Sequence, residues 1–335
     1  KLMEAIRRVL GGQVYVSEET WRRVSDRFAA SSVELELKGI GKARAYCIAR
    51  GQGRSHVTRR VVVDFQGRDA EIGRIAACIE ALREGLYDRS AGVLVVGQGG
   101  VGKSRLCTHA LSRFSEGARV LFAQTVPAET PAFGTLAAAW LRDLIGGSGR
   151  QDIDSFFKKN TDLGRWRNVV ESLLASADDA GPSGGFGEGL PLDRELARFF
   201  LAASEASPIV LAGADVQWAD PLSLDLCVTL AREARSGKVA MVLDGRPGVQ
   251  TDRLRLEAGF SVIELGVLGV DAMERILQSL LAEPPPREWV RRVHARTGGV
   301  FIHFSQVLDA LAESGILERD SSGRWHLACP DRDLP

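Results

Sequence analysis

The chain has 335 residues, 45% of them apolar, which suffices for about two domains with sizeable cores. Lysine plus arginine and aspartate plus glutamate both number 43, so no net charge draws the chain to nucleic acid or to an anionic membrane. The apolar runs are too short to span a bilayer and nothing resembles a signal peptide.

The five cysteines (Cys47, Cys78, Cys107, Cys227, Cys329) form no C-x-x-C pair. They read as buried small hydrophobes in a reducing, cytoplasmic compartment. The five histidines are scattered, and no metal cluster is expected from them. The first residue is Lys1 rather than Met, so the sequence reads as a fragment of a longer protein.

Residues 5–10 end a helix, and Gly11-Gly12 breaks it. Residues 13–16 predict a short strand, and Ser17 caps a helix with Glu18 and Glu19 in its first turn. Val33 to Leu37 alternates apolar and acidic residues, as a half-buried strand does, and Ala43 to Ala49 returns as another. Val-Tyr-Val-Ser at 14–17, Lys-Gly-Ile at 38–40 and Arg-Ala-Tyr at 44–46 together resemble the C-terminal end of class III adenylate/guanylate cyclase domains. That resemblance implies a cyclase domain upstream in the same chain. Its catalytic Arg position is Lys1 here, and its metal-binding aspartates would precede the fragment, so no cyclase activity is expected from these residues. Residues 51–64, basic and glycine-containing, read as a linker.

Phe65-Gln66-Gly67-Arg68-Asp69-Ala70-Glu71-Ile72 leads into a helix with Ile72, Ile75, Ala76, Ile79 and Leu82 on one face. A buried strand follows at 93–96. It runs into Gly97-Gln98-Gly99-Gly100-Val101-Gly102-Lys103-Ser104, a G-x-x-x-x-G-K-[ST] phosphate loop between strand and helix. Glycines leave room for backbone N–H groups to face a triphosphate. Lys103 would reach its β- and γ-phosphates, and the Ser104 hydroxyl would ligate Mg²⁺. The helix that opens here, Lys103 to Phe114, adds positive potential at the same point. Gly97, Gly99, Gly100, Val101, Gly102, Lys103, Ser104 and Arg105 are therefore the candidate contacts for ATP or ADP. The Phe65 box ahead of such a loop resembles that of AAA-type and signal-transduction (STAND) ATPases. By that resemblance Phe65, Gln66 and Arg68 hold the adenine.

Residues 120–126 predict the next strand, and Pro131 opens a helix to Leu144 with Phe133, Leu136, Trp140, Leu141 and Leu144 on its apolar face. Residues 151–190 read as irregular apart from one helix at 163–175, and the Gly/Ser-rich run 180–189 reads as a surface loop. A helix at 192–206 precedes a buried strand at 208–212.

That strand leads to Asp215, the Walker B pattern, in which an acid holds the Mg²⁺ shell or polarises the attacking water. From Asp215 to Ser223 the sequence resembles the signature of ATPases in cyclase-linked and LuxR-type regulators. It departs at Ala214, where that family has an acid. A methyl group accepts no proton, so ATP binding is better supported than hydrolysis. Asp220 reads as the N-cap of a helix at 223–235, with Pro221 at its first position, and Trp218 reads as packing. A strand at 239–243 ends in Asp244-Gly245-Arg246-Pro247. By the same resemblance Arg246 is a sensor near the γ-phosphate, and Asp215 and Arg246 are the candidate catalytic pair.

Residues 261–265 predict the last core strand, followed by helices at 271–282 and 286–295. Arg296-Thr297-Gly298-Gly299-Val300-Phe301 resembles the family's T-G-G-N-P turn near the base, with Val300 and Phe301 in place of Asn-Pro. A helix at 302–315 and a hairpin at 316–327 suggest part of a winged helix. The mixed charge of the hairpin argues against DNA reading.

Strands alternating with helices predict an α/β fold, a P-loop NTPase with a parallel sheet covered on both faces and its site at the strands' C-terminal ends. The expected organisation is a cyclase-like remnant at 1–50, a linker at 51–64, an AAA/STAND core at 65–269, a helical lid at 270–298 and a winged-helix-like start at 299–335. The expected role is an ATP-binding regulatory module of a cyclase-linked signalling protein. Its cofactors would be ATP or ADP with Mg²⁺, and its partners other proteins or copies of itself. The alternatives are the nucleotide-sensing part of a LuxR-like regulator and a scaffold that binds ATP without hydrolysis.

Overall fold

The computed structural model describes residues 14–18, 21, 30–37, 41–48, 61, 63–84, 92–127, 133–178, 191–233, 238–320 and 323–329. The helix expected at 5–10, the opening at Pro131, most of the linker and the 180–189 loop lie outside these residues.

Strands β1 (Val14–Ser17), β2 (Ala30–Leu37) and β3 (Gly41–Ile48) form an antiparallel sheet in the order β1-β3-β2. They lie at the strands expected over 13–16, 33–37 and 43–49, with β2 beginning three residues earlier and β3 two. Ser17 closes β1 and Glu18 is already helical. Trp21 stacks on Tyr46 of β3 at 5.2 Å.

The main unit opens with helix α1 (Asp69–Glu84) and strand β4 (Gly92–Val96). Helix α2 (Lys103–Phe114) and strand β5 (Arg119–Gln124) follow. Strands β6 (Ile209–Ala214), β7 (Val239–Gly245) and β8 (Ser261–Glu264) complete a five-stranded sheet in the order β5-β6-β7-β4-β8, parallel at every pairing. The phosphate-loop strand β4 therefore lies next to β7, and the Walker B strand β6 lies beyond it.

Side-chain alternation divides the sheet cleanly. Leu94, Leu121, Ile209, Leu211, Met241 and Leu243 enter a core with the aromatic helices. Val93, Val95, Val210, Ala212, Ala240 and Val242 enter a second core under α1 and α2. The first core is closed by α3 (Thr135–Ile145), α4 (Arg150–Lys159), α5 (Arg167–Asp178), α6 (Leu192–Ser204) and α7 (Pro221–Glu233). Trp140, fully buried, donates its indole N–H to the carbonyl of Ala212 at 2.9 Å, tying α3 to the sheet.

Two helices correct the sequence reading. Helix α4 occupies a stretch expected to be irregular, because Ile153, Phe156 and Phe157 form a short i, i+3, i+4 face that is buried against Phe199. Helix α8 (Val249–Glu257) was not anticipated. It buries only Thr251 and Leu254 and carries no apolar stripe to announce it.

Beyond β8, helices α9 (Val270–Leu280), α10 (Arg287–Thr297) and α11 (Phe301–Glu313) pack around Trp289, Phe304 and Leu308. The hairpin of β9 (Leu317–Arg319) and β10 (Trp325–Leu327) closes this bundle with Trp325. Val61 and Val63 join the same core, and the Val61 N–H donates to Asp309 on α11 at 2.8 Å. The chain thus runs from the bundle directly into α1 and the sheet. Among the described residues no helix is long and apolar enough to cross a membrane.

Candidate nucleotide site

The loop between β4 and α2 is held by its neighbours' backbones. Gly97 N–H donates to the Gly245 carbonyl at 3.2 Å, and Leu265 N–H donates to Val96 at 2.7 Å. A Cβ on Gly97 would stand 2.5 Å from the Leu265 carbonyl oxygen, so no side chain fits there. Gly100 and Gly102 have φ of +79° and +101°, a turn that side chains resist. These three glycines let the loop double back and present α2's N-terminus. Val101 is buried beneath the loop and Lys103 is 6% exposed, its ammonium donating to the Gln98 carbonyl at 3.1 Å. Ser104, one residue on, is exposed.

The acids come from the strand ends. Asp215 follows β6 with φ of +59°, a left-handed conformation that aspartate tolerates better than most residues. Its backbone carbonyl accepts from the Thr125 hydroxyl. Gln217 donates to the Asp215 carboxylate at 3.1 Å and accepts the Arg246 N–H at 2.9 Å. Asp215, Gln217 and Arg246 are therefore one connected group. The Arg246 guanidinium reaches the phosphate loop, since a Cβ on Gly99 would lie 3.1 Å from its Nη2. Arg246 thus stands at the loop, and Asp215 is joined to it through Gln217.

A residue the sequence reading passed over stands closer still. Asp244, on β7 beside β4, is 1% exposed. It accepts the Ser104 hydroxyl hydrogen, and its Oδ1 accepts the Asp215 N–H at 3.3 Å. Burial raises its carboxyl above the ordinary value, against the pull of the Asp215 N–H, the Ser104 hydroxyl and the Lys103 charge. Burial likewise lowers Lys103, opposed by the charges of Asp244 and Asp215. The signal that could have located Asp244 is a charged residue inside a buried apolar strand.

The expected base-side residues gather at one small cavity of about 30 Å³, lined by Phe65, Gln66, Arg68, Gly102, Arg105 and Phe301 among others. That volume holds a couple of waters rather than a purine. Arg105 fills the space: its guanidinium lies 5.7 Å from the Phe65 ring centre and 4.5 Å from that of Phe301, and donates to the Val63 carbonyl. Phe65 also stacks on His109 at 4.4 Å. Arg68, with φ of +63°, pairs with Glu71 at 3.1 Å and donates to the Gly266 carbonyl at 2.5 Å. Phe301, from the turn that resembles T-G-G-N-P, also lines this cavity. The Ile302 N–H donates to the Gly100 carbonyl at 3.0 Å, which sets α11 directly on the phosphate loop.

Asp220 is a cap, as expected, and more than one. One oxygen accepts the N–H groups of Gly134 and Ser223 at 2.9 and 3.1 Å; the other accepts Thr135 N–H, Thr135 hydroxyl and Ser223 hydroxyl at 2.7 to 2.8 Å. It closes the start of α7 and of α3 together. Burial would raise its carboxyl, but the donors on Ser223 and Thr135 outweigh burial and hold it below the ordinary carboxylate value. Two other expectations fail. Trp218 is not packed but 46% exposed, because the short 3-10 turn Val216–Trp218 buries Val216 instead. Cys329 is exposed and Cys47 and Cys78 are partly so, leaving only Cys107 and Cys227 as buried small hydrophobes.

A parallel sheet with a glycine phosphate loop at one strand's end and acids at the ends of its neighbours defines a P-loop nucleotide-binding protein. The sequence pattern of the AAA ATPase domain matches residues 64–243, more than half of the chain, and the chain belongs to that family. A search of curated proteins finds no match. Among solved structures the chain is similar to Cdc6p from Pyrobaculum aerophilum, at 14% identity and a TM-score of 0.43. That similarity covers 76% of this chain, which spans 64% of the length of Cdc6p. It is also similar to a chain of the HORMA:CdnC:Trip13 complex of E. coli MS115-1, at 10% identity and a TM-score of 0.45, covering 87% of this chain and 90% of that one.

Among the described residues no group of three or more His, Cys, Asp or Glu side chains could hold a metal ion. A P-loop site does not require one, because Mg²⁺ takes most of its ligands from phosphates and water. The exposed Ser104 hydroxyl, with Asp215 and Asp244 behind it, is an oxygen donor set that fits this hard cation.

Proposed function

We propose that this chain binds ATP and ADP with Mg²⁺ as the regulatory module of a larger signalling protein, STAND-like in type and joined to a class III cyclase domain. The observation that carries the nucleotide reading is the loop itself. Its buried Lys103 feels the charges of Asp244, Asp215 and Arg246 at the ends of two other strands, and Ser104 beside it is exposed. In this reading Gly97, Gly99, Gly100, Val101 and Gly102 supply backbone N–H groups, and Lys103 supplies charge to the phosphates. Ser104 and Asp215 hold Mg²⁺, which neutralises phosphate charge when bound. Arg246 stands at Gly99, where a third phosphate would be sensed. Phe65, Gln66, Arg68 and Arg105 would surround the base once the Arg105 guanidinium leaves the cavity it fills.

The cyclase link rests on the motifs at 14–17, 38–40 and 44–46, with the antiparallel β1-β3-β2 sheet as support. The switch would lie in α9 to α11 and the hairpin, whose contact with the loop passes through Ile302 and Gly100. Partners would be other proteins or further copies of the chain, through the sheet unit.

Ala214 favours a reading in which the module holds ATP and hydrolyses it slowly, since a methyl group cannot orient or deprotonate a water. Calorimetric titration with ATP and ADP tests the binding reading. Lys103→Ala should remove most of the affinity, and affinity unchanged in that variant would refute it.

A further inference from the structure

Alternation along β7 sends Val239, Met241 and Leu243 to the aromatic core and Ala240 and Val242 to the α2 side. Asp244 continues the second set and so points at the first turn of α2. On β6 the same parity sends Val210 and Ala212, and then Ala214, to that side. The register Gly213↔Leu243 puts Ala214 and Asp244 next to each other at the ends of adjacent strands. The acid missing from β6 thus has a carboxylate beside its vacant position, one strand over.

The hydrogen bonds give this carboxylate a direction. The Ser104 hydroxyl lies beside this carboxylate and stabilises its charged form, which leaves the hydroxyl lone pairs for a cation. A hydroxyl held in this way is fixed in orientation and is a better donor to a metal. The second bond, from the Asp215 N–H, fixes the turn that carries the other candidate magnesium residue. Asp244 therefore touches both residues expected to face Mg²⁺.

We propose that Asp244 is the positioning carboxylate of the magnesium site, taking over from β7 the negative charge that β6 lacks at Ala214. It acts through Ser104 and Asp215, orienting the hydroxyl and adding charge opposite the cation. This rests on the nucleotide-binding reading above, and it concerns how the cation is held rather than how water attacks.

The test is calorimetric titration of the full chain with ATP, in Mg²⁺ and in EDTA. The unaltered protein should gain roughly tenfold or more in ATP affinity from Mg²⁺. Asp244→Asn should lose most of that gain while its affinity in EDTA does not fall, since a carboxylate beside the phosphates only repels them there, an outcome that a purely structural role would not produce. A gain absent from the unaltered protein, or fully kept in D244N, overturns the inference. No ATP binding by the unaltered protein in either buffer brings down the nucleotide reading itself, and this inference with it. Should D244N not fold, crystals of the unaltered protein with Mn²⁺ and ADP decide the matter. An anomalous peak bonded to Ser104 Oγ, with Asp244 still on that hydroxyl, supports the assignment. A bound cation with Asp244 detached from Ser104 contradicts it.

Discussion

The phosphate loop and the carboxylate corner facing it are built in opposite ways. The loop is local: Gly97 to Ser104 are consecutive, and two left-handed glycines with one close approach fix its path. The corner is assembled from three chain segments, with Ser104 from α2, Asp215 from β6 and Asp244 from β7. The loop's residues follow one another in the chain, whereas the corner's come together only through strand order and register. In the corner the Asp244 carboxylate stands one strand over from Ala214.

Substitutions can break this contrast. The largest effect belongs to Lys103→Ala. Removing a charge-assisted contact to phosphate should cost about 3 kcal/mol, or about two decades of ATP affinity by calorimetry, with the fold intact. A loss smaller than about tenfold would mean that the loop is not the phosphate site.

Next comes Asp220→Ala, which strips caps from α3 and α7 at once and should lower stability by about 2–3 kcal/mol in denaturant titration. Because the Asp220 carboxyl is held below its ordinary value, its contribution is complete above the unfolded value of about 3.9 and is lost as pH falls through the lower folded value. The stability gap between the unaltered protein and Asp220→Asn should therefore narrow below about pH 4. A gap that widened there would reverse the sign of this account.

Arg246→Ala sharpens the contrast further. If its guanidinium senses a third phosphate beside Gly99, ATP affinity should fall roughly tenfold and ADP affinity by less than about twofold. Equal losses for the two nucleotides would assign Arg246 to loop support instead. The smallest effect is expected at Phe301→Ala. Removing one aromatic face from the cavity should weaken both nucleotides by about three- to tenfold. A tightening would mean that the Arg105–Phe301 contact mainly blocks the base.

The same contrast explains what the sequence disclosed. The loop was legible because its residues are contiguous and each has one physical reason to be there. The parallel sheet was legible from buried runs such as Val93 to Val96, and α9 to α11 lie close to the helices expected at 271–282, 286–295 and 302–315. Helix α8 was hidden because only two of its side chains are buried, and α4 because its buried face is three residues long. Asp220 was half legible. Its own helix follows it directly, but α3 begins far away in the chain and meets it only in the fold. Asp244 was missed for a similar reason. Its meaning depends on which strand lies beside β4, and the spacing of the motifs does not state that order.

The central claim is a complete phosphate cradle in a site whose hydrolytic half lacks its acid at Ala214. It is tested most directly by measuring ATP occupancy and phosphate release on the same sample of this chain. The account predicts one ATP bound per chain with Mg²⁺, and phosphate released slowly, on the order of 10⁻³ per second, as in P-loop proteins without an assisting group. Failure to bind ATP, or sustained turnover above about one per second, would contradict it.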